Sequence, residues 1–521
     1  MFYTLDWIII GLYCIGIISL ATYVSRKKAG SERSAEDYFL AGRSLPWWAI
    51  GASLIAANIS AEQIIGMSGQ GFVVGMAIAV WELTAAIALI VMAKFFLPLF
   101  LEKKIYTMPQ FLEQRFDKRV SLVLSFFWLT VYIFVNLTAV LWLGSLAINT
   151  LTGMSLVNGM ILLAFLSLAY SLSGGLKAVA MTDIVQVVLL IFGGLAVSYI
   201  ALTKIGDGSI ATGMVQVYQQ MPEKFDMILS PDNPSYNNLP GIWILIGAGV
   251  WIGHFAYWGF NQYITQRALG AKSLKEAQKG VMFAAYLKLL MPLVIVLPGI
   301  CAAILFPVLD KTDQAYPTMM IELLPSGLLG LTFAALIAAI VSSLASMTNS
   351  ISTIFTMDIC RSFSKNEIQQ SSLILIGRSA VVGSMLIALV MAKPILGNSD
   401  QIFQYIQNFT GLFTPGILVI FLVALFWKKA TALSVLVAAI LSVVMSIFIQ
   451  ASFPDFPYIH RMGVVFFASG MGCYLTSLAQ GYLDQEKAID LNGINFKTSK
   501  AFNVNSLIIV SILTFIYVTL G

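Results

Sequence analysis

Long blocks of apolar residues, separated by short polar stretches, run through the whole sequence. Each block is long enough to cross the ~30 Å hydrocarbon layer of a membrane as a helix. Membrane strands would alternate apolar and polar residues, whereas a block such as 187–203 is almost continuously apolar. Only 11% of the residues are charged, against about 25% in soluble domains. The chain is therefore predicted to be an all-α polytopic membrane protein.

Fourteen transmembrane helices are predicted from these blocks. The first block has Asp6 near its start and no basic region, so we interpret it as a retained span and not as a signal peptide. The predicted spans are 4–24, 45–70, 75–101, 120–150, 156–174, 178–203, 240–266, 277–306, 327–358, 371–392, 401–427, 430–451, 459–480 and 502–520.

The basic residues are distributed unevenly among the predicted connections. Alternate connections hold 23 Lys and Arg residues, and the connections on the opposite side hold five. Basic residues concentrate in the cytoplasmic loops of membrane proteins. We therefore predict that both termini face the outer side of the cell (inner) membrane, and that residues 1–521 form one domain surrounded by membrane lipid.

Two predicted spans carry polar residues at mid-membrane depth. The second span contains Asn58, Glu62 and Gln63, and the seventh contains His254 and Asn261. At this depth a helix can be interrupted only where its backbone lines a cavity or binds an ion. The two breaks lie five spans apart, as in LeuT-type transporters, where two five-helix repeats of opposite topology meet at a central site. The predicted parts are an extra helix at 4–24, a first repeat at 45–203, an inverted second repeat at 240–427 and additional helices at 430–521.

Glu82 and Lys288 are ionisable residues inside predicted spans, where a charge costs ~2.5 to 3.5 kcal/mol. Glu82 follows Trp81, and a buried carboxylate beside an aromatic ring is suited to a sugar, because the carboxylate accepts from hydroxyls while the ring stacks on a C–H face. Alternatively, Glu82 and Lys288 form a structural ion pair.

Glu62, Asp183 and His254 also lie in apolar segments. For Glu62 and Asp183, a structural or gating role is open beside direct binding of an ion, and Asp183 is predicted close to the cytoplasmic face, at a possible ion exit. His254 lies in a broken span, where packing, contact with the substrate and proton coupling are three possible roles.

A candidate ion site involves the ninth predicted span. Ser342 and Ser343 are adjacent hydroxyls, and the Ala339 carbonyl lies one turn before them. With the carbonyls of Ala56 and Ile59, which the first break would free, they form a shell of five oxygens. A shell without a carboxylate suits Na⁺ better than Ca²⁺ or Mg²⁺.

Several stretches resemble the sodium:solute symporter family. They include GASLIAANISAEQ at 51–63, GGLKAVAMTDIVQ at 174–186 and IVSSLASMTNSISTIFTMDI at 340–359, and the resemblance extends over about 34–430. It implies a symporter that works by alternating access with Na⁺ as the co-transported ion. The resemblance implies a sodium shell at Ala56, Ile59, Ala339, Ser342 and Ser343, sugar contacts at Gln63, Glu82, Lys288 and Gln407, bracing residues at Asn58 and Asn261, an inner gate at Tyr257 and an outer gate at Met67 and Phe403.

Three pocket positions differ from the galactose-transporting member of that family. Trp81 replaces a Tyr, Ala85 replaces a Ser and His254 replaces an Asn. Because a pocket built around specific hydroxyls rejects ligands that mispair with it, the resemblance leaves the identity of the sugar open. The expected substrate is a hexose such as galactose or glucose, or a related polyol. The alternative is another organic solute, such as an amino acid, a vitamin or a carboxylate.

Other classes of function are disfavoured by the sequence. It shows no metal-binding cluster, nucleophile–base pair or phosphate loop that would indicate an enzyme, and no feature that would indicate a nucleic-acid partner. A nutrient sensor would need a cytoplasmic signalling domain, and the predicted cytoplasmic loops are too short for one. The expected partners are a small-molecule substrate, sodium and lipid.

Overall fold

A computed structural model of the chain describes residues 2–25, 40–105, 107–247, 249–364 and 368–521, without the side chains of 18, 21, 25, 170, 172–176, 178, 370 and 371. In these ranges every regular element is a helix, which confirms the all-α class. Leu45, which precedes the helix Trp47–Asn58, and Ala271, which follows the helix Gln262–Leu269, form an isolated β-bridge. Five basic residues that entered the topology prediction lie outside the described residues, namely Arg26, Lys27, Lys28, Arg33 and Lys365.

The helices of the described ranges are numbered α1 to α20, and short 3₁₀ turns lie at Ala41–Arg43, Pro222–Phe225 and Thr312–Gln314. The helices are α1 Thr4–Ser25, α2 Trp47–Asn58, α3 Glu62–Val73, α4 Met76–Glu102, α5 Met108–Arg115, α6 Lys118–Thr152, α7 Leu156–Ile205, α8 Ile210–Gln220, α9 Trp243–Ile246, α10 Gly249–Phe260, α11 Gln262–Leu269, α12 Leu274–Leu305, α13 Ala315–Leu323, α14 Leu328–Phe363, α15 Gln370–Leu396, α16 Ile402–Thr410, α17 Thr414–Phe426, α18 Ala432–Ser452, α19 Tyr458–Ala479 and α20 Lys500–Leu520.

The number of candidate spans is lower than predicted. In the described residues, 10 helices are long and apolar enough to cross a membrane, or up to 12 if each of two bent pairs counts as one span. Two predicted spans account for the difference. The block 156–174 is part of a longer helix, and the block 240–266 is divided into α9, α10 and α11, each of which is too short to cross a bilayer.

The prediction of separate spans at 156–174 and 178–203 differs from the structure in one respect. Helix α7 continues from Leu156 to Ile205 over 50 residues, so the connection expected around Lys177 is helical. Glycine weakens a helix by only about 1 kcal/mol relative to alanine. The pair Gly174 and Gly175 is therefore not enough to interrupt the helix.

Both predicted breaks are present, and a third one was not predicted. Helices α2 and α3 meet at an angle of 61°. Asn261 separates α10 from α11, and its ψ of 124° is not helical. In addition, α16 and α17 meet at 48° across 411–413, where the sequence Gly-Leu-Phe carries no polar side chain to indicate a break. The prediction of two broken helices thus missed the bend in 401–427.

Two charged residues are buried, which the sequence analysis did not predict. Arg267 was counted in a cytoplasmic connection, but it lies in α11 and its side chain is only 1% exposed. Asp6 on α1 is also buried, and its carboxylate accepts hydrogen bonds from the backbone nitrogens of Gly327 and Gly330 at 2.7 and 2.9 Å. Because a carboxylate stabilises a helix N-terminus, Asp6 fixes α1 to the start of α14.

Candidate functional site

One cavity lies where the breaks of α2–α3 and α10–α11 approach each other. It is lined by almost all of the residues that the sequence had indicated for substrate binding and gating. Ala85 differs from them, since it is buried but does not line the cavity. The predicted residues in the wall are Asn58, Gln63, Met67, Trp81, Glu82, His254, Tyr257, Asn261, Lys288, Phe403 and Gln407, and Glu62 joins them.

A buried ion pair in the wall of the cavity joins α12 to α4. Lys288 Nζ lies 2.6 Å from Glu82 Oε2, and the two side chains are 1% and 2% exposed. The same ammonium group donates to Asn58 Oδ1 and lies 5.2 Å from the centre of the Trp258 ring. The ion pair predicted as an alternative is therefore formed, and it faces the cavity. A ligand in the cavity therefore meets the Glu82 carboxylate as an acceptor and the Lys288 ammonium group as a donor, and the charges of the two groups cancel.

A chain of hydroxyl and amide groups connects the two broken helices. Asn58 Nδ2 donates to the Tyr257 hydroxyl at 3.1 Å, and the hydroxyls of Tyr257 and Tyr263 lie 2.8 Å apart. Asn261, at the second break, accepts a hydrogen bond from the Tyr132 hydroxyl at 2.7 Å. The sequence analysis missed Tyr132 and Tyr263, because aromatic residues in apolar helices carry no local signal of a polar partner.

His254 is held by a residue that the sequence did not single out. Its Nε2 lies 2.7 Å from the Thr84 hydroxyl, and its ring stands edge-on to Trp81 with 5.5 Å between the centres. The Thr84 hydroxyl donates to the Val80 carbonyl, so its oxygen accepts from His254 Nε2. His254 thus presents an imidazole that Thr84 fixes in place and that packs edge-on against Trp81 in the wall.

Gln63 and Glu62 follow the first break. The backbone nitrogen and the hydroxyl of Ser60 donate to Gln63 Oε1 at 3.2 and 3.1 Å. The amide nitrogen of Gln63 is therefore the group that is available to a ligand. Glu62 opens a π-helical segment and accepts from Asn136 Nδ2 at 3.5 Å, a residue that the sequence analysis did not identify.

The candidate sodium residues fit a cation of low charge. Ser343 Oγ is buried without a hydrogen-bond partner in the described part of the chain. The nitrogen of Ser60, which would normally donate to the Ala56 carbonyl, donates to the Asn58 carbonyl at 3.0 Å and to Gln63. Buried polar groups are rarely left unsatisfied. These oxygens are therefore suited to an ion at the end of α2, close to Ile59 and to Ala339 on α14.

Asp183, which the sequence predicted at a possible ion exit, lies in a buried polar cluster. Its carboxylate accepts from the Ser342 hydroxyl and, at 2.5 Å, from the Ser53 hydroxyl. Arg267 Nη2 lies 3.7 Å from the same carboxylate, and Arg267 Nε donates to Ser53 Oγ at 2.8 Å. The cluster is charge-balanced, and Ser342 links it to the candidate sodium shell.

The loop at residues 311–313 holds the start of α16, which carries Phe403. The Asp313 carboxylate accepts from the backbone nitrogen of Ile402 at 3.0 Å, and Asp400 accepts from the nitrogen of Thr312 at 3.1 Å. Lys311 Nζ donates to the Ser399 carbonyl at 3.0 Å. Burial raises the pKa of Asp313 to about 7, with Asp400 acting in the same direction and Ile402 and Lys311 against it.

Comparison with known proteins identifies relatives along nearly the whole chain. The profile of the sodium:solute symporter family matches residues 38–433. The sequence is 45% identical over 533 residues to a sodium/glucose cotransporter of Vibrio parahaemolyticus, with 98% of this chain and 97% of that protein covered. It is 30% identical over 462 residues to the human sodium/myo-inositol cotransporter 2, with 81% and 66% covered.

In structure, the chain is similar to a substrate-bound Na⁺-coupled sialic acid symporter. The TM-score is 0.79, the sequences are 22% identical, and the similarity covers 92% of this chain and 98% of the other. At this identity the likeness concerns the fold alone. It confirms the predicted LeuT-type fold, in which the cavity between the broken helices is the central site.

Removing one partner of the Lys288–Glu82 pair should destabilise the protein more than removing both. Lys288→Met leaves Glu82 as a buried, uncompensated charge, and we expect it to lower the free energy of unfolding by about 3–5 kcal/mol. Adding Glu82→Gln should restore most of that loss. Thermal unfolding of the purified variants in detergent measures both effects. Additive losses in the double variant would contradict a coupled pair.

The pKa of Asp313 predicts a pH-dependent stability. Because its folded value lies above the unfolded value of ~3.9, the native state binds the proton more tightly, so stability should fall as the pH rises from about 4 to about 7 and then level off. Asp313→Asn should flatten this dependence. Unfolding midpoints in detergent at several pH values provide the comparison, and parallel curves for the two proteins would disprove the assignment.

Proposed function

Because this chain belongs to the sodium:solute symporter family, we propose that it is a sodium-coupled symporter that takes up a sugar by alternating access. As a member of that family it is a membrane transporter and not an enzyme. The substrate is a hexose such as galactose or glucose, or a related polyol. The curated relatives described above are named for glucose and for myo-inositol, which agrees with this class of substrate.

The arrangement around the Lys288–Glu82 pair supports a polyhydroxylated substrate. The ammonium group and the amide nitrogen of Gln63 donate, the Glu82 carboxylate accepts, and Gln407 can do both. A sugar hydroxyl donates and accepts, so it matches alternating groups of this kind. Trp81 supplies an aromatic surface for C–H groups, and His254 holds it in place.

The proposed sodium site consists of Ser342, Ser343 and the carbonyls of Ala56, Ile59 and Ala339. It shares the first break with the sugar contacts, since the helix end that frees the Ala56 carbonyl also presents Asn58 to Lys288. Sodium at this end would fix the orientation of α2 and thereby complete the sugar site. The Asp183 cluster, joined through Ser342, provides the next polar group for the departing ion.

The proposed gates lie on opposite sides of the sugar contacts. Met67 and Phe403 form the outer gate, and Gly66 allows their helices to approach, because a Cβ at Gly66 would stand 3.1 Å from the Cβ of Phe403. Tyr257 forms the inner gate and is held by Asn58. In this proposal the repeats are 45–203 and 240–427, the protein lies in the inner membrane, and both termini are on the outer side.

Uptake into proteoliposomes tests the proposed function. Radiolabelled galactose, glucose and myo-inositol are offered with an inward sodium gradient and, in parallel, with potassium. We expect sodium-dependent accumulation of at least one of them, and unlabelled compounds then rank the preference of the pocket. Equal uptake with potassium would exclude sodium coupling. Accumulation of amino acids or carboxylates in place of sugars would exclude the substrate class.

Ser343→Ala should abolish sodium-dependent uptake, because it removes a shell oxygen that has no other partner. We expect a loss of at least about tenfold at a sodium concentration that saturates the wild type, since one misplaced ligand is sufficient to weaken such a site. Ser469→Ala is the matched control, because the Ser469 hydroxyl on α19 is also buried without a partner but lies outside the site. Normal sodium activation in Ser343→Ala would refute the sodium-site assignment.

A further inference from the structure

A second cavity lies on the other side of α16 from the central one. We call it the outer cavity, and its volume is about 380 Å³, within the range of ~300–1,000 Å³ that is typical of small-molecule sites. Its walls come from residues 237–238, from α16, from the end of α18 and from the loop and first turn that begin α19. None of the residues assigned to sugar, sodium or gates lines it.

Arg461 is the buried charge of the outer cavity. The residue is 4% exposed, and its Nη2 donates to the Asn408 carbonyl at 3.4 Å. Its Nε is buried without a hydrogen-bond partner, and no carboxylate of the described residues forms an ion pair with it. Arg461 also lies in the first turn of α19, where the helix dipole adds positive potential. The buried guanidinium of Arg461 therefore has no ion-pair partner among the described residues.

The remaining walls are those of a carbohydrate site. Tyr405 and Phe409 stack with 6.4 Å between ring centres, and both line the cavity. Asn408, on the same helix as these rings, and Asn237, from the preceding loop region, also line the cavity. Aromatic faces accept the C–H side of a sugar ring, and amides donate to and accept from hydroxyls.

We propose that the outer cavity binds a sugar acid of the hexuronate class, with its carboxylate on Arg461 and its ring against the aromatic and amide side chains. A guanidinium group binds a carboxylate in a bidentate manner, and no carboxylate of the described residues occupies this guanidinium. Asp455 also lines the cavity, but it is exposed to solvent, so water screens its repulsion of an anion. A simple inorganic anion would use only the guanidinium and leave the amides and rings without a role.

Helix α16 separates the two cavities, which gives the outer site a consequence for gating. Phe403 and Gln407 face the central cavity, whereas Tyr405, Asn408 and Phe409 face the outer one. A ligand held between α16 and α19 restrains the helix that carries the proposed outer gate. The outer site is therefore accessory to transport, and its existence does not depend on which sugar the central cavity carries.

Equilibrium binding of radiolabelled glucuronate to the purified full-length protein in detergent tests the proposal. We expect saturable binding that Arg461→Gln weakens at least tenfold and that the double variant Lys288→Met/Glu82→Gln, which alters the central cavity without leaving a buried unpaired charge, leaves within twofold. Acetate should bind at least tenfold more weakly than glucuronate, because it lacks the ring. Tyr405→Ala provides a second variant, with an expected loss of similar direction, in case Arg461→Gln does not fold.

Four results would overturn the proposal. They are the absence of saturable glucuronate binding, unchanged affinity in the folded variants of Arg461 and Tyr405, loss of binding in the folded double variant Lys288→Met/Glu82→Gln, and equal affinity for acetate and glucuronate. Loss in that double variant would assign the ligand to the central cavity. Equal affinity for acetate would reduce the outer cavity to an anion site without carbohydrate recognition. Failure of sugar uptake in the proteoliposome assay leaves this test unaffected, because the two assays report on different cavities.

Discussion

The buried ammonium group of Lys288 is the charge around which the central cavity is organised. Removing an ion of this kind from water costs several kcal/mol. The protein offsets that cost with the Glu82 carboxylate on α4, the side-chain oxygen Oδ1 of Asn58 on α2 and the face of Trp258 on α10. Because these partners lie on three helices, one charge holds three walls of the cavity at fixed distances. If any one of these walls moved away, the buried ammonium group would lose a partner and its burial would cost more free energy.

A second cluster, in which the charges of Asp183 and Arg267 balance, links the helices near the first break. Asp183 on α7, Arg267 on α11 and Ser53 on α2 bond to one another, and Ser342 connects them to α14. In this region the polar groups satisfy each other almost completely, which leaves the Ser343 hydroxyl as an exception. Ser343 is therefore assigned to the sodium site because it lacks a partner and also lies beside Ser342, which bonds to this cluster.

The sequence predicted the parts of the fold that carry a polar signal in an apolar background. Asn58 and Asn261 indicated both breaks at the centre, and Glu82 and Lys288 indicated the pair. The bend before Thr414 was missed because the Gly-Leu-Phe stretch carries no polar side chain, although Pro415 at the start of α17 is typical of a new helix. The continuity of α7 was missed because the residues around Lys177 were interpreted as a connection. Thr84 and Asn136 could not be recognised from spacing, since their partners lie on other helices.

The side chain of Asn58 is hydrogen-bonded at both ends. Its oxygen accepts from Lys288 and its nitrogen donates to Tyr257, so turning the amide by half a turn would place its NH2 group, a donor, against the ammonium group, which is also a donor. The amide is therefore held in one orientation. A ligand that displaces the ammonium group would also strain the contact of the same amide with the tyrosine hydroxyl on another helix.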